Sequence, residues 1–266
     1  MQHTHAPFVL EAGHGPAVVC LHANASTSSQ WRDLIERLAP THHVLAPDSY
    51  GSGKSPDWPS DRVISLRDEV EFIEPVLARA GSPFVLIGHS YGAAVALLAA
   101  LKNPRRIRAL VLYEPTLFSL IEAQTPPPNR ADGIRATVAA ASSALDQGQP
   151  ERAAECFIDY WMGAGSWARM PEARQGPITT SIGNVRGWAG ALLGEPTALA
   201  AFAELDIPLL YMLGKDSPAS SLGVARLLTQ TLPRVEVVEF AGVGHMGPIT
   251  HPQRVNETIL RFLERV

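Results

Sequence analysis

Cysteine is scarce in this chain, and so are unbroken hydrophobic runs. Only Cys20 and Cys156 occur among 266 residues, far apart in sequence, so no paired-cysteine metal motif exists. Cys20 closes an apolar run and reads as a small buried hydrophobe rather than a ligand or nucleophile. The longest apolar run, Ala93 to Leu101, is far short of the roughly 20 residues that a membrane helix needs. Met1 to Phe8 includes His3 and His5 but no basic segment followed by an apolar core, so no secretory signal is expected. No His-Glu-x-x-His pair is present either, and neither a metal nor another cofactor is expected. An excess of one charge is also missing. Lys and Arg total 22 against 26 Asp and Glu, a net charge of −4, which gives no reason to expect nucleic acid or an anionic membrane as partner. There is no internal repeat or low-complexity tract. The expectation is a soluble, cytoplasmic protein acting on a small molecule, with its oligomeric state open.

What is present centres on Val85-Leu86-Ile87-Gly88-His89-Ser90-Tyr91-Gly92-Ala93-Ala94. A β-branched and apolar run ends at Gly88, and a small-residue helical run starts just past Ser90. Gly-x-Ser-x-Gly between them is the pattern of a serine on a sharp strand-to-helix turn. The glycines either side of Ser90 let the backbone turn where a Cβ would clash with the neighbouring strand or helix. The turn holds the hydroxyl clear of the sheet, near the positive end of the following helix.

Strand and helix signals alternate around this stretch. Phe8 to Glu11 reads as a strand, Gly13 to Pro16 as a tight turn, and Ala17 to Leu21 as a strand buried on both faces. A helical pattern around Trp31, Leu34, Ile35 and Leu38 precedes the strand His43 to Pro47. The loop Asp48 to Ser55 ends in Gly53-Lys54-Ser55, but the phosphate-binding signature needs a glycine where Asp48 stands. A plain turn is the better reading. A helix over Leu66 to Ala80, the strand Phe84 to Ile87, a helix over Ser90 to Lys102 and the strand Ile107 to Tyr113 follow. This alternation predicts a mostly parallel, doubly wound α/β sheet with helices on both faces.

The rhythm breaks between Thr116 and about Ala203, where no strand is apparent. Thr125 to Asn129 reads as a stiff connector, and Ile134 to Leu145, Glu151 to Met162 and Trp188 to Leu193 as helices. Strands resume at Ile207 to Leu213 and Val235 to Phe240, each followed by a helix. The expected organisation is a core domain of residues 1–115 and 204–266. Residues 116–203 form a helical cap inserted between two strands, over the carboxyl edge where open parallel sheets bind ligands.

A serine hydroxyl needs a neighbouring base to become a nucleophile. His245, in Gly242-Val243-Gly244-His245-Met246-Gly247 directly after the last strand, is the candidate base. His3, His5, His14, His42, His43, His89 and His251 lie less favourably along the chain. Taken together, Ser90 in its elbow, an Asn-bearing loop after an earlier strand, a helical insertion and a late Gly-His resemble the α/β-hydrolase superfamily. The similarity runs from a Glu11-to-Leu21 hairpin to the last helix, and serine, acid and histidine follow that family's chain order.

Two departures matter. The loop after the Ala17-to-Leu21 strand normally reads His-Gly in this family, and here it is His22-Ala23. By offset, the resemblance assigns the two oxyanion donors to Asn24 and Tyr91. Relatives also place an Asp three residues after the glycine that ends the Ile207-to-Leu213 strand, and here that position is Ser217. Asp216, one residue early, is one candidate acid. Glu114, at the end of the strand after the elbow helix, is the other, and it is favoured because it needs no register shift.

A serine nucleophile implies an acyl-enzyme, unlike the related haloalkane dehalogenases and epoxide hydrolases, which carry Asp at the Ser90 position. The insertion supplies Phe157, Tyr160, Trp161, Trp167 and Trp188 as candidate pocket aromatics, with Trp161, Trp188 and Met246 the candidate substrate contacts. The expected function is a carboxylesterase for small to medium apolar esters. Lactonase, C–C-bond hydrolase and cofactor-free perhydrolase activities share the same residues. A non-catalytic or slow-turnover ligand receptor is the alternative of another class.

Overall fold

The computed structural model describes residues 6–266, so His3 and His5 lie outside the described residues. The sheet has seven strands in the order β1-β3-β2-β4-β5-β6-β7. They are β1 (Val9–Ala12), β2 (Ala17–Leu21), β3 (His43–Pro47), β4 (Phe84–His89), β5 (Ile107–Tyr113), β6 (Leu209–Gly214) and β7 (Val235–Phe240). β1 pairs antiparallel with β3, and every other pairing is parallel.

The expected Glu11-to-Leu21 hairpin does not form. β2 is wholly buried and has β3 and β4 on its two edges, so β1, partly exposed, lies at the sheet edge beyond β3. Gly13 and Gly15, both with positive φ, carry the chain against the carbonyls of His42 and Thr41. A side chain there would strike that backbone.

Successive side chains of a strand point to opposite faces, and two apolar clusters follow from that alternation. Val18, Cys20, Val85, Ile87, Ala109 and Val111 pack under α1 (Arg32–Leu38) and a C-terminal helix. Val19, Leu21, Leu86, Leu110 and Leu112 pack on the other face, under α2 (Leu66–Ala80), α3 (Tyr91–Lys102) and a later helix. Cys20 has no exposed surface, and burial pushes its thiol well above its ordinary pKa.

Between β5 and β6 come α4 (Ser119–Gln124), α5 (Asp132–Asp146), α6 (Pro150–Met162), α7 (Glu172–Ser181) and α8 (Val185–Leu193). Ile134, Phe157, Ile158, Trp161 and Trp188 from these helices join the α2–α3 cluster, so the insertion shares one hydrophobic core with the sheet. The remaining helices are α9 (Ala219–Thr231) against the second face, α10 (Gly247–Thr250), and α11 (Pro252–Leu263) against the first. Among the described residues no helix is long and apolar enough to cross a membrane.

Parallel strands put all their carboxyl ends on one edge. Ser90 follows β4 directly, Glu114 follows β5, His22 follows β2, and the segment carrying His245 follows β7. The N-terminus of α3 is pressed against the loop after β2, where the Gly92 N–H donates to the His22 carbonyl at 3.1 Å. A Cβ on Gly92 would collide with the Leu21 and His22 carbonyl oxygens. Gly92→Ala is therefore expected to lower Tm by about 5 °C or more, measured by thermal unfolding, whereas an unchanged Tm would mean that this contact is loose.

Candidate active site

The elbow is held under strain. Ser90 has φ 56° and ψ −115°, a conformation that costs a non-glycine residue about 1–3 kcal/mol. Its N–H donates to the Tyr113 carbonyl at 2.9 Å, and its own carbonyl accepts from Ala94 N–H at 3.0 Å. A Cβ on Gly88 would lie 2.5 Å from the Ala93 Cα. Only the glycines two positions either side of Ser90 allow β4 and α3 to meet at this angle.

His245 reaches the elbow from the segment after β7. Its carbonyl accepts from His89 Nε2 at 2.9 Å, and the preceding Gly244 carbonyl accepts from the Tyr113 hydroxyl at 2.8 Å. Its Nε2 lies 2.8 Å from Ser90 Oγ, and its Nδ1 lies 2.6 Å from Glu114 Oε2. Glu114 has no exposed surface and His245 is 1% exposed. The second carboxylate oxygen, Oε1, accepts from Gly214 N–H at 2.7 Å and from the Ser217 hydroxyl at 2.5 Å. The rival Asp216 is exposed, and its backbone N–H donates to the Val243 carbonyl instead. Of the two candidate acids, Glu114 is the one against the imidazole.

Two serines near this pair were not singled out from the sequence for such contacts. Ser217 occupies the position where relatives carry an acid, and it donates to Glu114. Ser221, on the first turn of α9, has Oγ 3.2 Å from His245 Nδ1. Their closeness in sequence, at the end of the loop after β6 and on the first turn of α9, was the available signal. His89, also buried, has its pKa held well below the usual histidine range, chiefly by burial and then by neighbouring His245. It remains uncharged while it supports the His245 backbone.

The loop after β2 is braced from within. His22 Nδ1–H donates to the Ala23 carbonyl at 2.7 Å, and Nε2 accepts from Ser49 N–H at 3.0 Å. That pattern needs a neutral ring, and burial lowers the His22 pKa accordingly. Asp48, which argued against a phosphate loop, accepts from the N–H groups of Ser28 and Lys54 at 2.6 and 3.0 Å. Its carboxylate closes its own loop. Asn24 lines the same cavity as Ser90. Among the described residues, the N–H groups of Asn24 and Tyr91 donate to no backbone carbonyl outside regular helices and strands.

The cavity measures about 790 Å³. Of the five candidate aromatics, Phe157, Trp161 and Trp188 line it, together with Met246. Tyr160 and Trp167 do not, and the Tyr160 hydroxyl instead pairs with Ser220 Oγ at 2.7 Å. Among the described residues no group of three or more His, Cys, Asp or Glu side chains is placed to hold a metal ion.

The sequence model of the alpha/beta hydrolase fold matches residues 16–252. The chain belongs to that family. This hydrolase is similar to a pimeloyl-[acyl-carrier protein] methyl ester esterase of Chromobacterium violaceum, 28% identical over 260 residues, covering 97% of this chain and 98% of the relative. It is similar also to an (E)-2-((N-methylformamido)methylene)succinate hydrolase of Acinetobacter baylyi, 23% identical with 96% and 92% coverage. Among solved structures, an alpha/beta hydrolase from Sphaerobacter thermophilus superposes with a TM-score of 0.74 at 27% identity, covering 96% of this chain and 95% of that one. The chain is thus an enzyme, a hydrolase of this superfamily.

With a proton on Nδ1 donated to Glu114, His245 Nε2 has a lone pair to accept the Ser90 hydroxyl. Behind the elbow, the buried Tyr91 hydroxyl donates to Glu69 Oε1 at 3.2 Å, and the Tyr50 N–H reaches Oε2 at 3.4 Å. Burial pushes the Glu69 carboxyl from 4.5 up to about 8. The folded chain then binds more protons than the unfolded chain between these values. The stability contributed by Glu69 is full below about pH 4.5 and is lost as pH rises to about 8. Glu69→Gln should remove this decline, so its Tm relative to the parent climbs across that window. Parallel Tm-against-pH curves would show that Glu69 does not titrate there.

Proposed function

We propose that this protein is a serine hydrolase that cleaves carboxylic ester bonds of small to medium apolar substrates. The observation that carries the reading is the buried chain Ser90–His245–Glu114, with contacts of 2.8 and 2.6 Å, beside an aromatic-lined cavity of about 790 Å³. A cavity of that size and lining suits a compact apolar ligand. The likeness to a methyl ester esterase along nearly the whole chain supports an ester as the reacting group.

In the proposed reaction His245 Nε2 takes the Ser90 proton as Oγ attacks the ester carbonyl carbon. Glu114 keeps the Nδ1 proton in place and balances the imidazolium that forms. The N–H groups of Asn24 and Tyr91 receive the developing oxyanion, each such donor contributing roughly 100-fold or more in rate. His245 then gives its proton to the departing alkoxide, leaving an acyl group on Ser90. A water molecule, deprotonated by His245, attacks the acyl carbon, and the carboxylic acid leaves as Ser90 regains its proton. Residues 116–203 serve as the cap in this reading. Phe157, Trp161, Trp188 and Met246 enclose the substrate's apolar part.

Turnover of p-nitrophenyl acetate and butyrate tests the assignment. Ser90→Ala is expected to abolish it, and Glu114→Gln to lower kcat about a thousandfold or more. Asp216→Asn, a change at an exposed loop position, should cost less than about twofold. Similar mild losses in Glu114→Gln and Asp216→Asn would sink the choice of acid. Absence of Ser90-dependent turnover on these esters and on a lactone and dienoate panel would sink the ester reading.

A further inference from the structure

The His245 ring has a neighbour that takes no part in the proton transfers of the proposed reaction. The Trp161 indole lies on its face, with ring centroids 4.1 Å apart and planes 29° from parallel. Trp161 is itself tightly held. Phe118 stacks at 6.4 Å, while Phe157 and Tyr160 meet it edge-on at 6.1 and 4.8 Å. The Tyr160–Ser220 hydrogen bond fastens α6 to the first turn of α9, beside the serines that touch Glu114 and His245. Trp161 is only 7% exposed. Its position over the imidazole is therefore fixed by packing and does not depend on a ligand.

An aromatic face attracts a cation and has much less to offer a neutral ring, and indole is the strongest of the aromatic side chains in this respect. In the proposed reaction His245 becomes cationic as it takes the Ser90 proton, so a stacked indole gains as the transition state forms. The other groups around the ring act differently. Glu114 from the end of β5 lies at Nδ1. His89 from β4 is tilted 47° at 5.3 Å and kept neutral by burial. Ser221 from α9 offers a hydroxyl, and the Tyr113 hydroxyl from β5 is engaged by the Gly244 carbonyl. Lys and Arg contribute no hydrogen bond or ion pair to this cluster among the described residues.

We propose that Trp161 is a positioning residue that acts through His245. Its indole keeps the imidazole in the orientation that joins Ser90 to Glu114, and it stabilises the imidazolium formed when Ser90 gives up its proton. This inference rests on the serine-hydrolase reading. It assigns Trp161 a role in the chemical step in addition to its place in the pocket wall.

Trp161→Leu and Trp161→Phe separate this role from simple wall packing. The first readout is the pH profile of kcat/KM for p-nitrophenyl acetate, whose small acyl group has little apolar surface for the pocket wall to hold. The second is the imidazole titration of His245 followed by NMR in the resting protein. Trp161→Leu should move the acidic limb and the NMR titration to lower pH by about half a unit. It should also lower kcat about fivefold, with any change in KM smaller than that, while Trp161→Phe, a weaker aromatic face, falls between the parent and Trp161→Leu in both readouts. A titration that stays put or moves to higher pH in Trp161→Leu would overturn the proposal, because a mere water shield raises it when removed. A loss confined to KM would do the same. The NMR titration needs no turnover, so failure of the ester reading and failure of the stacking role remain distinguishable.

Discussion

The contact between Glu114 and His245 sets the conditions for everything around it. A carboxyl group with no exposed surface is tolerable only if nearly every lone pair finds a donor. Glu114 finds three: His245 Nδ1, the Gly214 N–H and the Ser217 hydroxyl. They come from the ends of different strands, so the contact forms only when β5, β6 and the segment after β7 are side by side. The residue adopts φ 45° to make it, a second strained backbone close to that of Ser90. Strain at these two positions is sustained by the close packing of strand ends beneath them.

The same edge couples the insertion to the sheet. Trp161 covers the imidazole, Tyr160 ties its helix to α9, and Trp161 and Trp188 share one apolar cluster with the elbow helix. On the far side, His22 and Asp48 brace the loop after β3, and Glu69 holds the Tyr91 hydroxyl behind the elbow. Polar groups buried without exposure recur here because each fixes a loop that no regular ladder of hydrogen bonds holds.

Much of this is legible in the sequence. Apolar spacing locates α2 and β7 to the residue, and alternation of strand and helix announces the parallel sheet. Elements without such a signature stay hidden. α7 has no buried residue and carries Gly176 and Pro177 in its interior, while α4 has six residues. The edge position of β1 follows from β3 and β4 occupying both edges of β2, which local pattern does not encode. At the site, Ser90 and His245 stand in recognisable turns, whereas two acids end up as rivals because both loops open on one edge. Contact with His245, more than a hundred residues away in the chain, separates Glu114 from Asp216. The stacking of Trp161 on His245 is likewise a property of the folded chain, invisible in a list of aromatics.

The central claim is that Ser90, activated by this buried pair, is the nucleophile. Intact-mass and peptide mapping after treatment with a fluorophosphonate tests it most directly. The account predicts one adduct per chain, on Ser90, forming far more slowly when Glu114 is replaced by Gln. Labelling elsewhere, or no labelling of a folded protein, would contradict it.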